Sequence, residues 1–318
     1  KYGGYVDIGI GALVGLWCPR SSATAQDIAI TGTFTITGNN RSSIGCLSGY
    51  VCRPNDLNNW GTNTDGIQFT ASGIHIGQDE GSKVSITGNQ VGGLVGMYKS
   101  GAQGTNHFTM KQIHQRNITL TGNTNEGSVG GLVGILCKAP AVIASDIFLS
   151  GNQITGNSSV ALLFARSHNL VGNTQLTIDV KNVEATGCKV TGTGSNAGFL
   201  YGNHDGGNGK GAINGYNILI SDSSINGTNK AAIWGGGNAK NTPVRLVAVC
   251  LQSCTAPAKD FAAGDSCYAI RANYTGVKQA VGDAPYIPGN PQSPLEGLGT
   301  SSITGDGASW ADAEKEVP

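Results

Sequence analysis

Gly92-Gly93-Leu94-Val95-Gly96 and Gly130-Gly131-Leu132-Val133-Gly134 are one phrase written twice, and Gly11-Ala12-Leu13-Val14-Gly15 is a near copy. Weaker copies anchor at Leu47, Leu162, Phe199 and Ile233. The anchors therefore stand at 13, 47, 94, 132, 162, 199 and 233, with successive spacings of 34, 47, 38, 30, 37 and 34. A period of that size belongs to solenoids and repeat arrays.

A second phrase follows the anchors: Asp27-Ile28-Ala29-Ile30-Thr31-Gly32, Lys83 to Asn89, Asn117 to Asn123, Asp146 to Asn152, Asn182 to Gly187 and Asn217 to Asp222. Most copies alternate apolar and polar residues, the pattern of a half-buried strand. A third, shorter phrase comes next: Phe34 to Asn39, Ile154 to Asn157, Lys189 to Gly192 and Ser224 to Gly227. Three short strands per repeat, punctuated by Gly and Asn, predict an all-β chain folded as a three-faced parallel β-helix of about seven coils. One such coil buries too little apolar surface to stand alone, but stacking at about 4.8 Å pairs each strand with the coils above and below. The 50 glycines then serve corners and close backbone approaches.

The Gly-Gly-Leu-Val-Gly phrases, each followed by an Asn- and Asp-rich strand, resemble the GLUG-type repeat of β-helical surface adhesins and secreted surface proteins. The resemblance covers about residues 3 to 261 and implies a right-handed parallel β-helix on a cell surface, with no catalytic residue attached. The overall pattern also resembles protozoan surface antigens of the invariant flagellar or coat glycoprotein kind found in trypanosomes.

Composition agrees with a packed chain: 39% of residues are hydrophobic and 13% charged. At 318 residues, one elongated solenoid over 1–261 with a tail over 262–318 is the expected organisation. The net charge of zero gives no electrostatic footprint for nucleic acid. No apolar run approaches the roughly 18 residues that span a bilayer, so direct membrane insertion of this segment is not expected. The sequence opens at Lys1, as a mature or trimmed chain would, and an anchor beyond Pro318 is the expected attachment to the surface.

Eight cysteines, an even number without paired C-x-x-C spacing, suit an oxidising compartment. Cys18 lies five residues after Leu13 and Cys52 five after Leu47, so adjacent coils stack them at about 5 Å, within the Cα range of a disulfide. A Cys18–Cys52 bond is predicted. A bond from Cys254 or Cys250 to Cys267 would pin the last coil to its cap. Cys137 has no counterpart in adjacent coils and reaches Cys46 or Cys188 only through a loop. The alternative is that two or more of these are buried free thiols. Five Asn-x-Ser/Thr sequons, at Asn40, Asn117, Asn157, Asn226 and Asn273, are candidate glycosylation sites. Three of them, Asn40, Asn157 and Asn226, fall in or just after the third phrase, along one edge of the solenoid.

After Phe261 the period is lost. Pro285, Pro288, Pro291 and Pro294 suggest an extended strap, and the stretch from Asp306 to Glu316 a short capped helix. Such a tail would cap an open solenoid end, which otherwise templates aggregation.

Catalytic readings fit poorly. Asn63-Thr64-Asp65-Gly66 resembles one motif of polygalacturonase-type glycoside hydrolases, with Gln78-Asp79-Glu80-Gly81 downstream. Inversion needs two carboxyl groups about 6.5–9.5 Å apart, whereas Asp65 and Asp79 are less than one coil apart in sequence, and the remaining motifs of that family are missing. A lyase would gather basic residues on one face, yet the 20 Lys and Arg are scattered. The histidines at 75, 107, 114, 168 and 204 show no metal spacing and read as surface turn residues. The glycines from Asp205 to Gly211 lack the Gly-Lys-Ser/Thr ending of a phosphate loop. No cofactor or metal is expected. Thr33-Phe34-Thr35-Ile36-Thr37 and Thr119-Leu120-Thr121 suggest ice-binding ranks, but the positions aligned with them in later coils hold Phe148, Glu184 and Leu219.

The expected function is a non-enzymatic extracellular surface glycoprotein, adhesin- or antigen-like, that presents loops on a stiff rod to a protein or glycan on another surface. The loops are insertions at 53–82, 97–116 and 201–215. Trp60, Tyr98, His107, Phe108 and His114 are the candidate recognition residues, with His75 and Met110 beside them. A homodimer through the ends or a flat face is a further expectation. The competing classes are a polysaccharide-binding or polysaccharide-degrading β-helix, signalled by a groove of aromatics and carboxylates on one strand face, and a filament subunit.

Overall fold

The computed structural model describes residues 8–52, 66–77, 81–100, 107–123, 125, 127–137, 141–170, 175–194, 196–206, 210–227, 229–231, 234–237, 244–252 and 279–281. Strand is the regular structure among them, and the strands form four parallel sheets. The chain is a β-solenoid. Each of the first six repeats contributes a strand to each sheet in turn, beginning with Ile8–Gly11, Val14–Trp17, Ser22–Ile30 and Thr33–Thr37. We number the sheets first to fourth in that order; they contain seven, seven, eight and six strands. A repeat thus has four strands where the phrases predicted three, because the Gly-Leu-Val-Gly phrase is itself a bend between two strands.

The phrase has a steric cause. Gly92 ends a first-sheet strand, Val95–Lys99 begins the second-sheet strand, and Gly93 and Leu94 turn the corner. A Cβ at Gly92 would collide with the Val95 carbonyl oxygen, and one at Gly96 with the Ile44 amide nitrogen. Backbone packs on backbone there, leaving no room for a side chain at Gly92 or Gly96; only in a later copy, where Ala stands at 161 and 165, does the corner admit a methyl. Leu94 fills the corner and is fully buried, as are Leu47 and Leu132. Pairing of Leu132 with Leu163 across the ladder moves two anchors by one residue, to Leu163 and Leu200.

The stretches expected as insertions carry core strands. Gln68–Ile76 and His107–Arg116 pair with Ser22–Ile30 on one side and Ala141–Ser150 on the other in the third sheet. Phe69, Ile74 and Ile76 of one, and Phe108, Met110 and Ile113 of the other, are buried in the core. Lys83–Gly88 and Ile118–Gly122 belong instead to the fourth sheet, beside Thr33–Thr37 and Gln153–Gly156. Both kinds of strand end in a polar turn rich in Gly and Asn, which is why their phrases look alike.

Correcting that alignment restores a threonine rank. Thr37, Thr87, Thr121, Thr155 and Thr191 stand in register along the outer face of the fourth sheet. The neighbouring rank starts as Thr35, Ser85 and Thr119 and then passes to Gln153 and Lys189, so a double rank covers three repeats. Thr suits this position because β-branched side chains pack well across parallel strands, each pair contributing about 0.2–1 kcal/mol.

At the end where the chain starts, the core-facing residues Ile10, Trp17, Ile28, Ile30, Phe34 and Ile36 are only partly buried, since no strand among the described residues lies beyond them. At the other end Gln279–Val281 pairs with Val244–Leu246. The chain beyond Phe261 therefore returns to the third sheet. The boundary at 261, the proline strap and the segment 306–316 lie outside the described residues.

Candidate functional site

The long strands of the third sheet carry the site. Apolar and polar residues alternate along them, but the phase changes once per strand at a residue in the left-handed region: Asp27 (φ 53°), Gly73 (63°), Gln112 (54°), Asp146 (57°) and Asn182 (53°). Gly, Asn and Asp tolerate that conformation, and Asn182 Nδ2 donates to Asp146 Oδ1 at 2.9 Å along the column. Beyond the corner the next residue faces inward and the one after it outward.

That outward position stacks Ala29, His75, His114, Phe148, Glu184 and Leu219 in register. The His75 and His114 rings lie 4.6 Å apart at 33°, and His114 and Phe148 4.6 Å apart at 34°. These spacings match the 4.7–4.9 Å between strands. Phe148 is 40% exposed, unusual for a large apolar ring on a protein surface with an apolar core available. Two residues further along each strand a second outward column holds Arg116, Ser150 and Thr186. A cleft of ≈ 210 Å³ lies between the columns, lined by His114, Phe148 and Glu184 on one side and Arg116, Ser150 and Thr186 on the other. Burial, then repulsion from His75, holds the His114 pKa below the ordinary imidazole value. A neutral ring face, exposed aromatic carbon, one cation and one anion thus border a shallow trough along the solenoid axis.

Of the residues expected to recognise a ligand, His114 is in this cleft. Tyr98 and Phe108 are not surface residues. Both are fully buried, their rings stacked at 4.7 Å, and the Tyr98 hydroxyl donates to the Ile67 carbonyl at 2.8 Å. The stretches expected as insertions are sheet strands, and their alternation turns both rings inward. His107 is half-buried at the start of its strand, in a different outward column from His114. Trp60 lies outside the described residues. All five histidines belong to strands rather than turns. Phe148, Arg116 and Glu184 were missed. The recurring Gln68-Phe69-Thr70 and His107-Phe108-Thr109 was the signal that would have aligned the strands and put His75, His114 and Phe148 in one column.

Among the sequons, Asn40, Asn117 and Asn226 are exposed. Asn157 is half-buried; its Nδ2 donates to Asn125 Oδ1 at 3.1 Å and its Oδ1 accepts from Thr193 Oγ1 at 3.3 Å. Asn273 is outside the described residues. Cys18 and Cys52 sit side by side as thiols with their sulfurs 3.5 Å apart. Cys46, Cys137 and Cys188 are buried thiols, and Cys254 and Cys267 lie outside the described residues. The Asn63–Asp65 and Gln78–Glu80 stretches of the hydrolase reading do so too. No group of three or more His, Cys, Asp or Glu able to hold a metal occurs among the described residues. Nor is any helix there long and apolar enough to cross a membrane.

The fold and the cleft define the class: an all-β parallel solenoid with an aromatic strip on one outer face. Comparison with family models, with curated proteins and with solved structures found no match.

Proposed function

We propose that this chain is a non-enzymatic recognition protein of the cell exterior: a right-handed solenoid of about seven coils whose third sheet binds an extended glycan. The observation that carries the reading is the exposed His75–His114–Phe148 column beside the cleft. Sugar rings present a flat C–H face that packs on aromatic rings, and their hydroxyls take hydrogen bonds from flanking polar groups. Arg116, Ser150, Thr186 and Glu184 supply those groups within one cleft. A strip that rises one strand spacing per repeat suits a polymer lying along the axis. Recognition is favoured over hydrolysis because Glu184 is the one carboxylate among the residues lining the cleft, and glycoside cleavage ordinarily uses a pair. The exposed sequons at Asn40, Asn117 and Asn226 and the GLUG-type phrases support an extracellular setting.

A glycan array that also scores oligosaccharide release tests this. Binding without release, weakened roughly tenfold by Phe148→Ala, is expected, since one aromatic contact contributes about 0.5–1.5 kcal/mol beyond its buried area. Binding untouched by Phe148→Ala and His114→Ala would place the ligand elsewhere. Release of oligosaccharides abolished by Glu184→Gln or Asp65→Asn would make the protein an enzyme.

A further inference from the structure

We propose that Cys18 and Cys52 are a redox-active dithiol whose oxidation to a disulfide staples the first repeat to the second. Trp17 pairs with Val51 in the second sheet, and the Cys52 amide donates to the Trp17 carbonyl at 3.0 Å. The two cysteines are therefore ladder neighbours on the same side of the sheet. Their sulfurs are 3.5 Å apart, against about 2.05 Å in a disulfide. Adjacent strands hold Cα atoms within the 4.4–6.8 Å that a disulfide accepts, so side-chain rotation closes the gap.

The two thiols are not equivalent. Cys18 is half-buried and Cys52 fully buried. Cys52 belongs to a small buried cluster with Tyr50, Met97, Ile135 and Cys137 that is separate from the main core. Because Val51 pairs with Tyr98, the position opposite Cys52 in the next repeat is Lys99, which is 1% exposed and pairs on its other side with Cys137. Lys99 thus brings a basic side chain into register with the resolving cysteine. Cys46 and Cys188 have no such neighbour in register; burial pushes their thiols up to about 12 and about 11, and they are inert by comparison.

The chemistry follows from that asymmetry. The Cys18 thiolate attacks one sulfur of a small external disulfide such as oxidised glutathione, forming a mixed disulfide and releasing one glutathione thiolate. The Cys52 thiolate then attacks the Cys18 sulfur, forming the Cys18–Cys52 bond and expelling the second glutathione. Two electrons pass from the cysteine pair to glutathione disulfide, and the reverse sequence reopens the staple. Cys18 is the accessible entry sulfur and Cys52 the resolving one. The bond would tie down the repeat whose core residues are least covered, closing a 34-residue separation.

The full chain, reduced and then equilibrated in glutathione buffers of graded ratio, would be acid-quenched, alkylated and peptide-mapped. The expected result is a Cys18–Cys52 peptide that forms and disappears reversibly while Cys46 and Cys188 remain alkylatable after unfolding. Cys52→Ser should stall as a glutathione adduct on Cys18, and Lys99→Met should slow its resolution in the parent pair at least tenfold. Amide exchange in Ser22–Ile30 and Thr33–Thr37 should slow at least tenfold on oxidation, and Cys18→Ser, a mild change at a half-buried site, should abolish that gain. A Cys52–Cys137 peptide instead, unchanged exchange in the first repeat, or a Cys18–Cys52 bond that glutathione cannot reopen would each overturn the proposal.

Discussion

His114 stacks on Phe148 across two neighbouring strands, 4.6 Å between ring centroids and 34° between ring planes. His75 covers its other side at 4.6 Å. Protonating His114 places a charge between a partly desolvated phenyl ring and a second imidazole.

Acid should therefore weaken this part of the fold. The folded-state pKa of His114 is depressed below its ordinary value of 6.5 by burial and by His75. As pH falls through that window the unfolded chain binds the proton first, so stability rises with pH. The contribution is complete above the ordinary histidine value and is lost as pH falls through the depressed one. Denaturant unfolding at about pH 7.5 and about pH 5 should show lower stability at the acid end, with a smaller pH difference in His114→Phe. An identical pH difference in the variant would assign the effect to other groups.

Gln112 is the misfit of the left-handed column, with φ 54°, where its counterparts are Asp27, Gly73, Asp146 and Asn182. An ordinary L side chain costs roughly 1–2 kcal/mol in that region, and Gly or Asn much less. Since Gln112 is exposed, its replacement loses little packing. Gln112→Gly and Gln112→Asn should each stabilise the chain by about 1 kcal/mol, read as a raised denaturation midpoint at unchanged slope. Destabilisation by both would mean that the Gln112 side chain makes a contact worth more than the backbone strain.

The pinch between the first and second sheets predicts a sharp contrast between two glycines. A methyl at Gly92 would strike the Val95 carbonyl and come within 2.8 Å of the Leu132 carbonyl, both backbone atoms that cannot swing aside. Nothing lies within 4 Å of a Cβ added at Gly81. Gly92→Ala should cost about 2 kcal/mol or more, while Gly81→Ala should be neutral or stabilising by up to about 1 kcal/mol through the unfolded state. Equal effects on thermal unfolding would show that the backbones there have freedom to separate.

The solenoid was legible because its corners are chemically demanding. Gly-x-Leu-Val-Gly can be built from few residues, so it survives in recognisable form from Gly11 to Gly134. The face that carries the cleft was harder to read. Outward positions such as His75, His114 and Phe148 pack on one another and not into the core, so they vary from repeat to repeat and offer no period. Their strands were hidden as well, because Lys83–Gly88 and Ile118–Gly122 mimic the third-sheet phrase while lying on the fourth sheet. The misplaced alignment also put Phe148 and Glu184 opposite threonines they never meet. Cys18 and Cys52, by contrast, were placed correctly in adjacent register, since both follow the well-marked corner at a fixed distance.

Asp179 offers a pH dependence of opposite sign to that of His114. Its carboxylate is half-buried on the outer face of the third sheet and accepts a hydrogen bond from Asn214 Nδ2 at 2.6 Å. Burial raises its pKa above the ordinary carboxylate value and outweighs that bond, which acts in the lowering direction. The folded chain therefore holds this proton to higher pH than the unfolded chain does. Stability from the group is present below the unfolded value and declines as pH rises through the folded one. Asp179→Asn removes the charge and keeps an oxygen for Asn214 to donate to. The variant should be more stable than the parent at neutral pH, and the two should converge in acid where the parent carboxyl is protonated. Denaturation curves across that range decide the matter: a variant weaker at neutral pH would mean that the Asn214 bond to the charged carboxylate, and not its burial, dominates at this site.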